Sequence, residues 1–346
     1  MVMRFSVTIR RNVAETNGMR RIIAIIALAT TFIFSHATIA SASPMAPPLL
    51  ELRHDISRLA VRLPAASALE VFDLSSGQSV GYNANASMPA ASTIKVPVMV
   101  EVFKQLEAGR FTLQRRVTLL PNDKDWGSGE LCDAPAGGTY TVSELLSKMI
   151  DISDNTATNM LIRLVGLRSI NREMRTLGLQ HTRLRGDVRT AGWSIRQTLR
   201  SSPNDMVRLL SMMARHELID DWSSKEMISI LEDDQFNTLI PAPLPDDVTI
   251  AHKTGSLFDT LNDVGIVYAG ASPYVIAVMT TGLPSLDMGR SFIHSLSRMA
   301  FDQERRLAQW RSVAGLQAFT PAAPPANAPD VRYWEHSEPA SAGGGL

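Results

Sequence analysis

A chain of 346 residues, 45% of them apolar, has ample material for one large core or two interleaved ones. Its 34 lysines and arginines balance its 34 aspartates and glutamates, so net charge gives no sign of a nucleic-acid or acidic partner. Cys132, the single cysteine, excludes an internal disulfide. The seven histidines never fall at metal-ligand spacing with a second histidine or with it, so no metal or other cofactor is expected.

The chain opens on a targeting pattern. Arginines 4, 10, 11, 20 and 21 precede the apolar run Ile22 to Phe34, and Ala40-Ser41-Ala42 offers small residues for cleavage. The run is short for a membrane span, so residues 1–42 are expected to be a signal peptide. The mature protein would begin near Ser43, periplasmic or secreted, with no stable membrane span. Leu49, Leu52, Ile56, Leu59 and Leu63 recur at helical spacing. Ala68 to Leu74 and Ser79 to Tyr82 predict a hairpin around Ser75-Ser76-Gly77-Gln78.

Ser92-Thr93-Ile94-Lys95 comes next, with the apolar residues Val98, Met99, Val100, Val102, Phe103 and Leu106 behind it and Gly109 as a stop. Residues three apart share a helix face, which sets the Lys95 amine beside the Ser92 hydroxyl. A serine at a helix start also has unpaired backbone N–H groups around it. Residues 111–140 read as loop-rich. Thr141-Val142-Ser143-Glu144 is a capping box opening a helix, and Asp151-Ile152-Ser153-Asp154-Asn155 interrupts it. Helices over about 156–165 and 169–177 stop at Gly166 and Gly178. Residues 179–201 are arginine-rich and aperiodic, and loops of that length are usually functional or disordered. Ser202-Pro203-Asn204-Asp205 starts a further helix.

Strands are predicted over 248–253, 263–268 and 274–281, with a closing helix over 287–310. From about 318 the chain is rich in Pro, Ala and Gly, and residues 318–346 are expected to be a disordered tail. The expected fold is α+β, an α-β sandwich. An antiparallel sheet built from both chain ends (43–110 and 248–317) is flanked by helices, with an inserted all-helical lobe, and 111–247 as a whole is expected to be mostly helical.

Ser92-x-x-Lys95, Ser153-Asp154-Asn155 and Lys253-Thr254-Gly255 each occur once, in that order. Over roughly residues 47–314 the chain resembles the serine β-lactamase and penicillin-binding protein superfamily, and its spacings fit class A β-lactamases. The resemblance implies acyl transfer through Ser92, with Lys95 as base if burial and Lys253 depress its pKa. Ser153 would pass a proton to the leaving nitrogen, and Asn155 would orient Lys95 and the substrate amide. Lys253 and Thr254 would attract a substrate carboxylate, Gly255 would let the strand approach, and the N–H groups of Ser92 and Ser256 would form an oxyanion hole. The expected partner is a small β-lactam or a cell-wall peptide-like molecule, no nucleic acid is expected, and the protein is expected to be a monomer. Alternative readings are a D-alanyl peptidase or esterase of the same fold, or a penicillin-binding sensor or decoy that acylates without efficient turnover.

Three points stay open at this stage. Trp126 either stacks on substrate at the cleft mouth or pins a glycine-rich loop. Residues 179–201 stand where class A enzymes carry a water-activating glutamate, yet the only acid there is Asp187, among five arginines. It is either an ion-paired clamp or a possible deacylation base, and a glutamate restored at Leu184, Arg185 or Gly186 would be expected to speed deacylation. Leu261 precedes Asn262-Asp263 where the family often has arginine, which leaves carboxylate anchoring to Lys253, Thr254 and Ser256.

Overall fold

The structure is a computed structural model that describes residues 45–190 and 195–314. The expected signal peptide (1–42) and tail (318–346) lie outside the described residues. The chain forms α1 (Pro47–Arg62), β1 (Ala66–Asp73), β2 (Ser79–Tyr82), β3 (Met88–Pro89), a 3₁₀ turn (Ala91–Ile94) and α2 (Lys95–Glu107). After these come β4 (Arg116–Thr118), a second 3₁₀ turn (Pro121–Asp123), β5 (Thr139–Thr141), α3 (Val142–Asp151), α4 (Asn155–Val165) and α5 (Leu167–Thr176). Then follow β6 (Arg183–Leu184), α6 (Ile195–Thr198), β7 (Leu199–Ser201), α7 (Pro203–Ala214) and α8 (Asp221–Glu232). The described chain closes with β8 (Thr249–Leu257), β9 (Thr260–Tyr268), β10 (Tyr274–Thr281) and α9 (Leu286–Val313).

The main sheet is antiparallel in the order β2-β1-β10-β9-β8, so strands from the two chain ends meet where β1 pairs β10. Its central strand β10 is apolar on both faces, as a strand buried on both sides must be. The two-residue alternation divides it: Val275, Ala277 and Met279 enter the core shared with the helical part, while Ile276 and Val278 enter the core under α1 and α9. Leu49, Leu52 and Ile56 of α1 pack there with Phe292, Ile293 and Leu296 of α9.

The other core is organised by α2, which buries ten residues and is apolar nearly all round, the pattern of a central helix. Pro97 falls in its first turn, where proline is tolerated best.

Two departures from the sequence reading bear on the site. Helix α8 went unread, and its last turn runs into Asp233 and Asp234. The inserted part is also not purely helical: its β6 and β7 form a small sheet with β3 of the first part, and β4 pairs β5. The described parts of segment 179–201, namely 179–190 and 195–201, therefore have structure of their own, and Arg200 of β7 lies opposite Pro89, three residues before Ser92.

Candidate active site

Ser92 sits in the 3₁₀ turn at the entry to α2. Ala91 before it has φ of +49°, a conformation costly for an alanine, so the surroundings must hold it. Asn262 of β9 does so. Its side-chain amide donates to the carbonyls of Pro89 (2.8 Å) and Ala90 (3.1 Å), and its oxygen accepts from the Thr280 N–H at 3.0 Å. Gly255 of β8 completes the contact. A Cβ there would lie 2.9 Å from the Ser92 nitrogen and 3.0 Å from that of Thr93, both backbone atoms, so only glycine lets the strand pass.

Lys95, one turn on, is fully buried, and its Nζ reaches the Ser153 carbonyl (2.5 Å), Ser153 Oγ (2.9 Å) and Asn155 Oδ1 (2.8 Å). Burial first, then the Lys253 charge, pushes its pKa well below the ordinary lysine range. Ser153, at φ +55°, is itself in the left-handed region. Capping of α4 falls to Asp154, which accepts from the N–H groups of Ala157, Glu130 and Leu131, each at 2.8 Å. The side chains of Ser153 and Asn155 are thereby free to face Lys95. Asn155 is oriented in turn by Asp125 Oδ1, which accepts from its amide at 2.8 Å. Burial pushes the Asp125 carboxyl up, but hydrogen bonds from Thr190, Asn155 and Gly127 outweigh it and hold the pKa below the usual value.

Lys253 stands on β8, one residue before Thr254. It is fully buried, it is absent from the cleft lining, and its Nζ donates to Asp234 Oδ2 at 2.9 Å. Thr254 and Ser256 line the cleft, while the Lys253 charge acts on Lys95. Leu261 is buried in the core beneath Gly289, so that position supplies no cation. Removing the Lys253 charge should raise the Lys95 pKa, since Lys253 lowers it and the remaining Asp234 raises it. In Lys253→Met the acid limb of the acylation rate is expected to move to higher pH. An unmoved limb in a stopped-flow pH profile would remove Lys253 from this role.

Segment 183–190 forms one wall. Asn159, one turn beyond Asn155, holds Val188 from both sides, accepting from its N–H at 2.8 Å and donating to its carbonyl at 3.0 Å. Val188 and Thr190 thus line the cleft. Asp187 does not. Its side chain is 42% exposed and ion-pairs with Arg189. Trp126 is 69% exposed and also lies outside the lining, to which its neighbours Gly127 and Ser128 contribute.

The cleft has a volume of about 120 Å³ and joins Ser92, Lys95, Ser153, Asn155, Thr254, Gly255 and Ser256. Among the described residues no carboxylate lines it. Sequence reasoning missed Asp125, Asn159, Asp234, Asn262 and the exposure of Val188 to the cleft. Only Asn159, one helical turn after Asn155, left a periodic signal.

A nucleophile turn, a buried lysine and a two-sided cleft between sheet and helical part define a serine hydrolase site. A profile of the β-lactamase enzyme family matches residues 51–303. The chain belongs to that family, as a class A β-lactamase-like serine hydrolase. It is 29% identical over 221 residues to a β-lactamase of Streptomyces albus G, covering 60% of this chain and 70% of the relative. It is 27% identical over 258 residues to one of Rhodobacter capsulatus, covering 69% and 83%. Among solved structures, PBP-A matches with TM-score 0.70 and 34% identity over 76% of this chain and 99% of its own. A leucine-to-glutamate variant of PBP-A, solved as its acyl-enzyme with penicillin G, matches at 33% identity and TM-score 0.70, covering 76% of this chain and 100% of its own.

Proposed function

We propose that this chain is an exported serine hydrolase that opens β-lactams through an acyl-enzyme at Ser92 and releases the product slowly. The carrying observation is a cleft with complete acylation machinery and no carboxylate in its lining. Neutral Lys95 takes the Ser92 proton as Oγ attacks the lactam carbonyl. The Ser92 and Ser256 N–H groups hold the oxyanion, at about 3–4 kcal/mol per donor. Ser153 protonates the departing nitrogen and recovers a proton from Lys95, so the ring C–N bond breaks with the proton count restored. The substrate carboxylate rests on Thr254 and Ser256. The PBP-A variant solved as an acyl-enzyme with penicillin G supports acylation of this fold by a β-lactam.

The absent carboxylate also favours a second reading, a penicillin-binding sensor or decoy that stays acylated. A D-alanyl peptidase or esterase would share the same acylation residues. Mass measurement of the intact protein after mixing with penicillin G separates these readings. We expect an adduct that forms quickly and decays slowly, with a burst in product release. An adduct that never decays selects the binder. No adduct at all, with turnover of a D-alanyl peptide or an ester, selects the third reading.

A further inference from the structure

The balanced net charge conceals a strong local asymmetry. Between residues 163 and 200 the sequence carries nine arginines, no lysine and only two acids, Glu173 and Asp187. Arg168, Arg172 and Arg175 recur at spacings of four and three along α5, so they share one exposed face. Arg183 and Arg185 are exposed on either side of buried Leu184. The strand end is stitched to the helix: the Asn171 amide donates to the Leu184 carbonyl at 2.7 Å, and its oxygen accepts from the Leu184 N–H at 2.9 Å. Five guanidiniums are thus brought onto adjoining elements, and among the described residues none makes an ion pair or a side-chain hydrogen bond.

The nearby acids are all engaged elsewhere. Glu173 pairs with Lys104, Asp187 with Arg189, and buried Asp205 accepts from the His181 N–H and the Thr182 hydroxyl. Folding does not explain the cluster. Like charges gathered without counter-charge repel, and Arg168 stands in the first turn of α5, where the helix dipole disfavours a cation and no acid offsets it. Burial and the charge of Arg185 together push the Arg200 pKa down, a further sign of crowding.

We infer that this arginine face of α5 and β6 docks the protein on an anionic phospholipid surface. None of the five lines the Ser92 cleft, and guanidiniums spread over one exposed face suit a broad plane of phosphates. No large exposed apolar side chain lies on these elements, so attachment is electrostatic and leaves the bilayer core untouched. Guanidinium is well matched to phosphate oxygens. The inference does not depend on which acyl compound the cleft accepts.

The test is sedimentation of the full chain with vesicles of phosphatidylcholine alone or mixed with phosphatidylglycerol, at low and high salt. The comparison protein carries Arg168→Gln, Arg172→Gln, Arg175→Gln, Arg183→Gln and Arg185→Gln. Residues 1–42 are identical in both proteins, so the difference between them reports the arginine face alone. We expect binding that needs phosphatidylglycerol, weakens with salt and falls about fivefold for each arginine removed. The comparison protein should keep its melting midpoint and its rate of acylation by penicillin. Should it fail to fold, Arg168→Glu with Arg172→Glu asks the same question on the helix alone. Equal binding of parent and variant overturns the inference. So does binding of the parent to soluble polyphosphate or duplex DNA without binding to vesicles.

Discussion

Hydrolysis of the penicillin acyl-enzyme is expected to quicken by about 10²–10⁴-fold in Val188→Glu, the range a positioned general base supplies. Val188 is 3% exposed and lines the cleft with Ser92, and Asn159 clamps its backbone through both the N–H and the carbonyl. A longer carboxylate grown from that fixed point would lie at the cleft wall, where burial raises its pKa and strengthens it as a base. The positions suggested by sequence alone are less suitable. Leu184 is buried in the core, Arg185 is exposed on the outer face, and Gly186 does not line the cleft. Burying a new carboxylate should lower the melting temperature by several degrees while the acylation rate stays near that of the parent. The check is single-turnover decay of the adduct mass in parent, Val188→Glu and Asp187→Asn. Asp187→Asn should decay like the parent, since Asp187 is paired with Arg189. Unchanged decay in Val188→Glu would mean that the water is activated from another side of the cleft.

The residues readable from sequence are those whose chemistry depends on local spacing. Ser92 and Lys95 share one turn at the start of α2, and Ser153 and Asn155 flank a helix cap, so neighbours in sequence remain neighbours in the site. The antiparallel sheet was equally legible, because β10 and α9 carry their burial patterns in their own residues. Asp234, Asp125 and Asn262 were not. Each acts through one hydrogen bond or a few to a residue distant in sequence, Asn262 to Ala90 for instance, and nothing in the local pattern marks such a contact. The partner of Lys253 is hidden for a related reason: its strand position is visible in the sequence, but Asp234, which accepts from its amine, follows a helix that the sequence pattern does not mark. Segment 179–201 shows no period in sequence because, among the described residues, its strands and its helix are two to four residues long.

Ser92→Ala is expected to abolish the penicillin adduct outright, and Lys95→Met to slow its formation by about 10²–10⁴-fold with the fold retained. The two variants fail for different reasons, and pH separates them. Lys95 must be neutral to accept the Ser92 proton, so in the parent acylation should fall as pH drops through its lowered pKa; the residual rate in Lys95→Met should lack that limb. Stability gives a check that does not depend on activity. The lysine pKa is lowered in the folded state and near 10.4 in the unfolded chain. Between those values the unfolded state binds the extra proton, so parent stability should rise with pH across that window. In Lys95→Met this contribution to the slope should vanish. Urea midpoints measured across that range read it directly. If parent and variant gave identical pH slopes, Lys95 would not be held neutral by burial and by Lys253, and the proton of Ser92 would need another acceptor.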